Sequence, residues 1–203
     1  MMGELGRSLA GALRLAFLDK TAADRFPADR AGALRSFWAM LILLPGLAAL
    51  DTVDRWMGHP IVLVGEAPTS TPMVPLTQAI LSLLLAYIIG TLAYFLMVER
   101  LLHLQGNAAV FPRLVAGLNW SGVVALIVVL PLAALAHTGW LSTPMALAIV
   151  WVTYFWNLFY EAYVARAILG TGWITAAGFV MLDVITTELA FALVRGPLMA
   201  AVG

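Results

Sequence analysis

Four side chains able to exchange protons or make strong hydrogen bonds stand inside long apolar runs of this chain: Asn119, Asn157, Glu161 and Asp183. Such groups are costly in hydrocarbon unless they face polar partners or water, so by default they mark a pathway or a binding pocket. Asn157 and Glu161 are four residues apart, and Tyr154 continues their face of a helix. Counting about 1.5 Å per residue from the predicted helix ends puts Asn119 and Glu161 in the inner third of a bilayer and Asp183 near its middle. Asn119, Tyr154, Asn157, Glu161 and Asp183 therefore form a candidate intramembrane polar pocket, open to the cytoplasm, for a proton, a cation or a small solute. The competing reading is structural, since amides and neutral carboxyls also bond helices to one another. Asp183 has Thr186 and Thr187 nearby and no basic residue in its own apolar run.

Catalysis has less to work with. A serine protease within the membrane needs a nucleophile after a glycine-containing turn and a histidine in reach. Asn119-Trp120-Ser121-Gly122 places an asparagine where that glycine is wanted, and His59, His103 and His137 fall in predicted loops or at span ends. An aspartyl protease needs two facing aspartates, and Asp183 stands alone in the spans. Zinc-protease and phosphate-loop signatures are absent. There is no cysteine, which excludes disulfides and thiolate ligands. The sequence therefore predicts no enzyme, no cofactor and no metal site.

The elements that must position the five pocket residues are membrane spans. Of the 203 residues, 63% are apolar or aromatic and 11% charged, with a mean hydropathy of +0.96, against roughly 45–50% apolar and 25% charged in soluble domains. That balance excludes a soluble enzyme, a nucleic-acid binder and a disordered chain. A span needs about 20 apolar residues, and five stretches come near or qualify: Leu34–Leu50, Leu76–Val98, Leu114–Ala136, Pro144–Val164 and Trp173–Val194. The segments between them, Asp51–Pro75, Glu99–Arg113, His137–Thr143 and Arg166–Gly172, read as breaks. The expected architecture is an all-α polytopic membrane bundle of five transmembrane helices over residues 34–195, with a cytoplasmic or interfacial segment over 1–33 and a short exterior tail over 196–203.

Within the first segment Leu5, Leu9, Ala12, Leu13, Ala16 and Phe17 recur at helical spacing, with Arg7 and Arg14 a heptad apart on another face. Charges interrupt any secretory core, so the leader reads as retained. It reads either as an interfacial amphipathic helix, anchored at the headgroups by Arg7, Arg14 and a snorkelling Arg35, or as a helix packed on the end of the bundle. Thr21, three residues before Asp24, is a candidate cap of a second short turn. With the N-terminus inside, nine basic residues lie on the cytoplasmic side and only Arg55 and Arg195 opposite. The positive-inside rule then puts the N-terminus on the cytoplasmic side, and five spans put the C-terminus on the exterior; the expected location is the cell inner membrane. The lipid bilayer is its certain partner, another membrane protein or a second copy is allowed by small-residue pairs such as Ala86/Gly90, Gly117/Ser121 and Gly172/Ala176, and nucleic acid is excluded.

The fourth run is dense in rings, from Trp151 to Tyr163, for which helix packing and the interfacial belt outweigh a cation cage. It passes through Ala165-Arg166 and Gly170-Thr171-Gly172 into an alanine-rich fifth run. That closing stretch, the Asn119-Trp120 pair within Leu114–Pro131, the cytoplasmic leader and the five spans together resemble the Yip1-like family, in particular its bacterial multi-pass members, over roughly residues 35–194. The resemblance implies a non-catalytic protein that organises membrane or partner proteins; eukaryotic members bind Rab-type small GTPases. Their acidic-aromatic N-terminal motif is absent here, so no residue role is carried over. A transporter or channel using the polar pocket is the alternative. Topology is directly testable: reporter fusions after Gln105 and after Thr138 should report the inside and the outside respectively, and the same side for both would remove the five-span arrangement.

Overall fold

The computed structural model describes residues 2–56, 75–137 and 140–202; the Asp51–Pro75 connection therefore lies largely outside the described residues. Those described are helical, with no strand among them. Helix α1 covers Met2–Ala16 and is followed by a 3-10 turn, Lys20–Arg25, and a short α2, Arg30–Ser36. Five long helices come next: α3 Trp38–Trp56, α4 Leu76–Leu104, α5 Phe111–His137, α6 Thr143–Leu169 and α7 Trp173–Val202. Their contacts trace a ring in the order α3, α5, α6, α7, α4 and back to α3, most extensive between α4 and α7 and least between α3 and α4.

Among the described residues four segments are long and apolar enough to cross a membrane: Arg30–Leu50, Leu76–Leu104, Ala108–Ala136 and Trp173–Val194. Helix α6 has the length, at 27 residues, but Asn157, Glu161 and its tryptophans and tyrosines lower its mean hydropathy. The helices outrun the apolar runs in sequence. Glu99, Arg100 and His103 lie within α4, Arg166 lies in the last turn of α6, and residues 196–202, expected as a tail, continue α7. Polarity marks where lipid would end, whereas the helix continues as long as its backbone bonds do. The break between α6 and α7 shrinks to three residues, where Gly170 at φ 65° takes the left-handed conformation that closes α6.

The N-terminal elements cap one end of the ring. Helix α1 packs against α5 and α6 through Ser8, Gly11, Ala12 and Leu15, all buried, while Leu9, Leu13 and Phe17 are exposed. Small residues make the inner face: a Cβ on Gly11 would come within 3.1 Å of the Arg25 Cβ. Three ion pairs among the described residues tie this cap together, one of them between Arg14 and Asp19 within the N-terminal segment. Arg35 meets Glu4 at 3.0 Å and Arg113 meets Asp24 at 2.9 Å. Arg35 clamps α1, because Glu4 lies close enough to fork its guanidinium with three contacts of 3.0–3.2 Å. Thr21, expected as the cap of a second short turn, is not one. Asp19 accepts from the Thr21 amide and hydroxyl, and the Thr21 hydroxyl, with Arg14 beside it, holds the Asp19 carboxyl below the usual carboxylate range.

The small-residue pairs serve contacts inside one chain. Gly90 lies against Thr187 and Ala190 of α7, and Gly117 against Ile168 and Val164 of α6, whereas Gly172 has no neighbour within 4 Å of a would-be Cβ. A Cβ at Gly90 would sit 3.1 Å from the Thr187 Cα, a backbone atom that cannot swing aside. Gly90→Leu should therefore cost about 1–3 kcal/mol and lower the thermal midpoint in detergent, while Gly178→Leu, into open space, should leave it unchanged or raise it. Equal midpoints for the two variants would show that α4 and α7 are not held this closely.

Candidate functional site

The ring encloses a cavity of about 410 Å3, and Asn119, Tyr154, Asn157, Glu161 and Asp183 all line it. Helix geometry brings them there. Tyr154, Asn157 and Glu161 recur at three and four residues on α6, with Tyr160 and Thr153 flanking them on the same inward face. The opposite face of α6 carries the exposed Trp151, Val152, Phe155 and Phe159. Asp183 and Thr187, one turn apart on α7, complete the acidic wall.

A polar stripe missing from the sequence reading comes from α4: Tyr87, Thr91 and Tyr94 line the cavity at i, i+4 and i+7. That hydroxyl spacing within Leu76–Val98 was the available signal. Helices α3 and α5 add mainly hydrocarbon, through Leu43, Leu47, Leu50, Leu126 and Val129. Depth can be read along each helix at about 1.5 Å per residue. From the capped end, Asn119, Glu161, Tyr94 and Asp183 lie about 12–15 Å in and Asn157, Tyr154, Thr187 and Tyr87 about 18–26 Å. Ile149, Val150 and Ala133, on the cavity wall, lie about 28–33 Å in. Beyond about 28 Å the wall is apolar, while at the depth of the acids Leu47 of α3 and Phe95 of α4, about 14 Å in, already set hydrocarbon beside the polar groups.

Among the described residues, none that lines the cavity is basic. Arg166 is directed elsewhere, its guanidinium 4.7 Å from the Trp173 ring centroid, and Trp173 in turn stacks on Phe159 at 5.5 Å. Among the described residues neither the Glu161 nor the Asp183 carboxyl has a hydrogen-bond partner, and no three histidine, aspartate or glutamate side chains come together as a metal site. The floor, by contrast, is bonded to the cap. The buried Asn119 amide donates to Ser36 Oγ at 2.8 Å, Ser36 donates to the Ala33 carbonyl at 2.6 Å, and the Tyr160 hydroxyl donates to the Ala12 carbonyl at 2.6 Å. Tyr94 is only 3% exposed, and its hydroxyl has no partner.

Of the three arginines expected as interfacial anchors, Arg7 is exposed, Arg14 pairs with Asp19 and Arg35 with Glu4. Compared with known proteins, the chain matches no family model, no curated protein and no solved structure. Asn119 can be tested as a structural member of the site. Ser36→Ala leaves its buried amide without an acceptor, an expected loss of about 1–3 kcal/mol, and adding Asn119→Leu should recover part of it by removing the unpaired group. A Ser36→Ala variant as stable as the parent would show that the amide has another partner.

Proposed function

We propose that this is a five-span inner-membrane protein, N-terminus cytoplasmic and C-terminus exterior, that admits a small polar or cationic solute into its helix ring as a carrier or channel, without catalysing a reaction. The carrying observation is that Glu161 and Asp183, on different helices, line one cavity with no basic lining residue among those described. Carboxyls acting only as helix glue would be hydrogen-bonded across an interface, and these two have no such partner among the described residues. For α6 as the fifth span, its 27 residues give about 40 Å of helix, and it stands between α5 and α7 in the ring. For an interfacial role of α1, the exposed Leu9, Leu13 and Phe17 are a face suited to the acyl boundary.

That same exposed face favours a second reading, the Yip1-like one, in which the cap presents an apolar row to a partner membrane protein. One experiment separates the two. Reconstituted in liposomes, the protein should pass protons, Na+ or small ammonium ions above the level of empty vesicles. Asp183→Asn should abolish that flux while the thermal midpoint is retained. Normal flux in the variant would sink the carrier reading, as would no flux from the parent chain, and in the latter case a stoichiometric protein recovered in gentle detergent would favour the second.

A further inference from the structure

We infer that the cavity takes a monovalent organic cation with an apolar body, such as a protonated amine, its ammonium group between Glu161 and Asp183 and its hydrocarbon toward the uncapped end. The inference rests on the reading of the cavity as a solute site and names the class of solute.

Charge sets the sign, because two carboxyls, with no lining base among the described residues, disfavour an anion and leave a cation with counter-charge. Size argues against a bare proton or an alkali ion as the whole occupant, since about 410 Å3 falls among small-molecule sites of roughly 300–1,000 Å3. A Ca2+ or Mg2+ ion would want about six or more oxygen ligands in a compact shell, and two carboxyls on separate helices with aromatic neighbours do not supply one. The apolar lining beyond the acids decides the rest. A sugar or a hydrated ion would meet hydrocarbon at Val129, Ile149 and Val150, whereas an alkyl or aryl amine gains by burying its body there.

The band around the acids also suits an ammonium group. Tyr94 and Tyr154 border the same space, and tyrosine faces attract cations, the more so away from water. The Tyr94 hydroxyl is buried and has no hydrogen-bond partner among the described residues. An ammonium N–H directed at its oxygen would satisfy it.

The test uses three probes of one skeleton and three charges on the purified full chain in detergent: benzylammonium, benzyl alcohol and benzoate, with NaCl as the inorganic control. Benzylammonium alone should raise the thermal midpoint saturably and give heat in titration calorimetry. Asp183→Asn and Glu161→Gln should each weaken it by about 10–100-fold, Asp183→Glu should largely restore it, and Tyr94→Phe, which removes one hydroxyl from an otherwise intact ring, should weaken it several-fold. An equal response to benzyl alcohol would mean mere apolar partition and overturn the inference, as would unchanged affinity in Tyr94→Phe together with Asp183→Asn. Saturable Na+ binding that depends on Asp183, with no benzylammonium effect, would overturn the solute class and leave the carrier reading standing. No binding of any probe and no flux in liposomes would remove both.

Discussion

A carboxyl group inside a bundle of apolar helices can be accommodated only where the helices turn it toward one another or toward water, and that constraint fixes the rotation of α6. Rolling α6 about its axis by one residue, about 100°, would carry Glu161 and Asn157 toward the outside and bring Phe155 and Phe159 in. The observed rotation puts Tyr154, Asn157 and Glu161 on the cavity and leaves Trp151, Phe155 and Phe159 exposed. Those outward rings then organise their surroundings: Phe159 stacks on Trp173 at the start of α7, and Arg166 covers Trp173. The short turn at Gly170 and the orientation of α7 are compatible with this one rotation, which also brings Asp183 to the same space.

The cap reinforces that choice. Tyr160 and Tyr163 lie three residues apart on α6 and donate to carbonyls at two points of the N-terminal segment, Ala12 and Leu18. Leu18 is an unusual acceptor. At φ 63° it is the one described non-glycine residue with positive φ, a conformation that costs roughly 1–2 kcal/mol for a side-chain-bearing residue. It is held by the end of α1, where the Asp19 amide returns to the Arg14 carbonyl and the Leu18 amide to Leu15, the six-to-one closure that terminates many helices. The bond from Tyr163 adds to that closure. Floor and cap are therefore one unit, with Tyr160 bordering the cavity on one side and bonded to α1 on the other.

How much of this could be read in the sequence depends on what each residue signals. Asn157, Glu161 and Asp183 were legible because a polar group in an apolar run stands out against its background. Tyr87 and Tyr94 were not, because tyrosine at helical spacing reads equally as packing or as interfacial belt, and only the fold shows which way a ring points. The buried face of α1 was hidden for the opposite reason. Hydrophobic periodicity directs attention to Leu5, Leu9, Ala12, Leu13, Ala16 and Phe17, yet of these Leu9, Leu13 and Phe17 are exposed, and the buried face is Ala12 together with Ser8, Gly11 and Leu15, small residues mostly, as close approach requires. The partners of Arg35 and Asn119 were beyond reach, being Glu4 and Ser36, 31 and 83 residues away, pairings that no local pattern encodes.

The cavity itself follows from the number of helices as much as from their side chains. With neighbouring axes about 9 Å apart, a closed ring of four puts each axis about 6.4 Å from the centre, close to the outer radius of a helix with its side chains, about 5–6 Å. A ring of five moves each axis out to about 7.7 Å, leaving a central gap that inward side chains must fill or water must occupy. Where α4 meets α7 and α5 meets α6, Gly90 and Gly117 draw the pairs together, but the axial space is bordered by Gly122, Ala125 and Ala133 on α5 and by Thr153 on α6, too small to close it. An apolar void of this size would be a standing loss of dispersion contacts. Bordered by two carboxyls, two asparagines and several hydroxyls, it can instead hold water, so the acids that would be a liability against lipid are what make the gap tolerable.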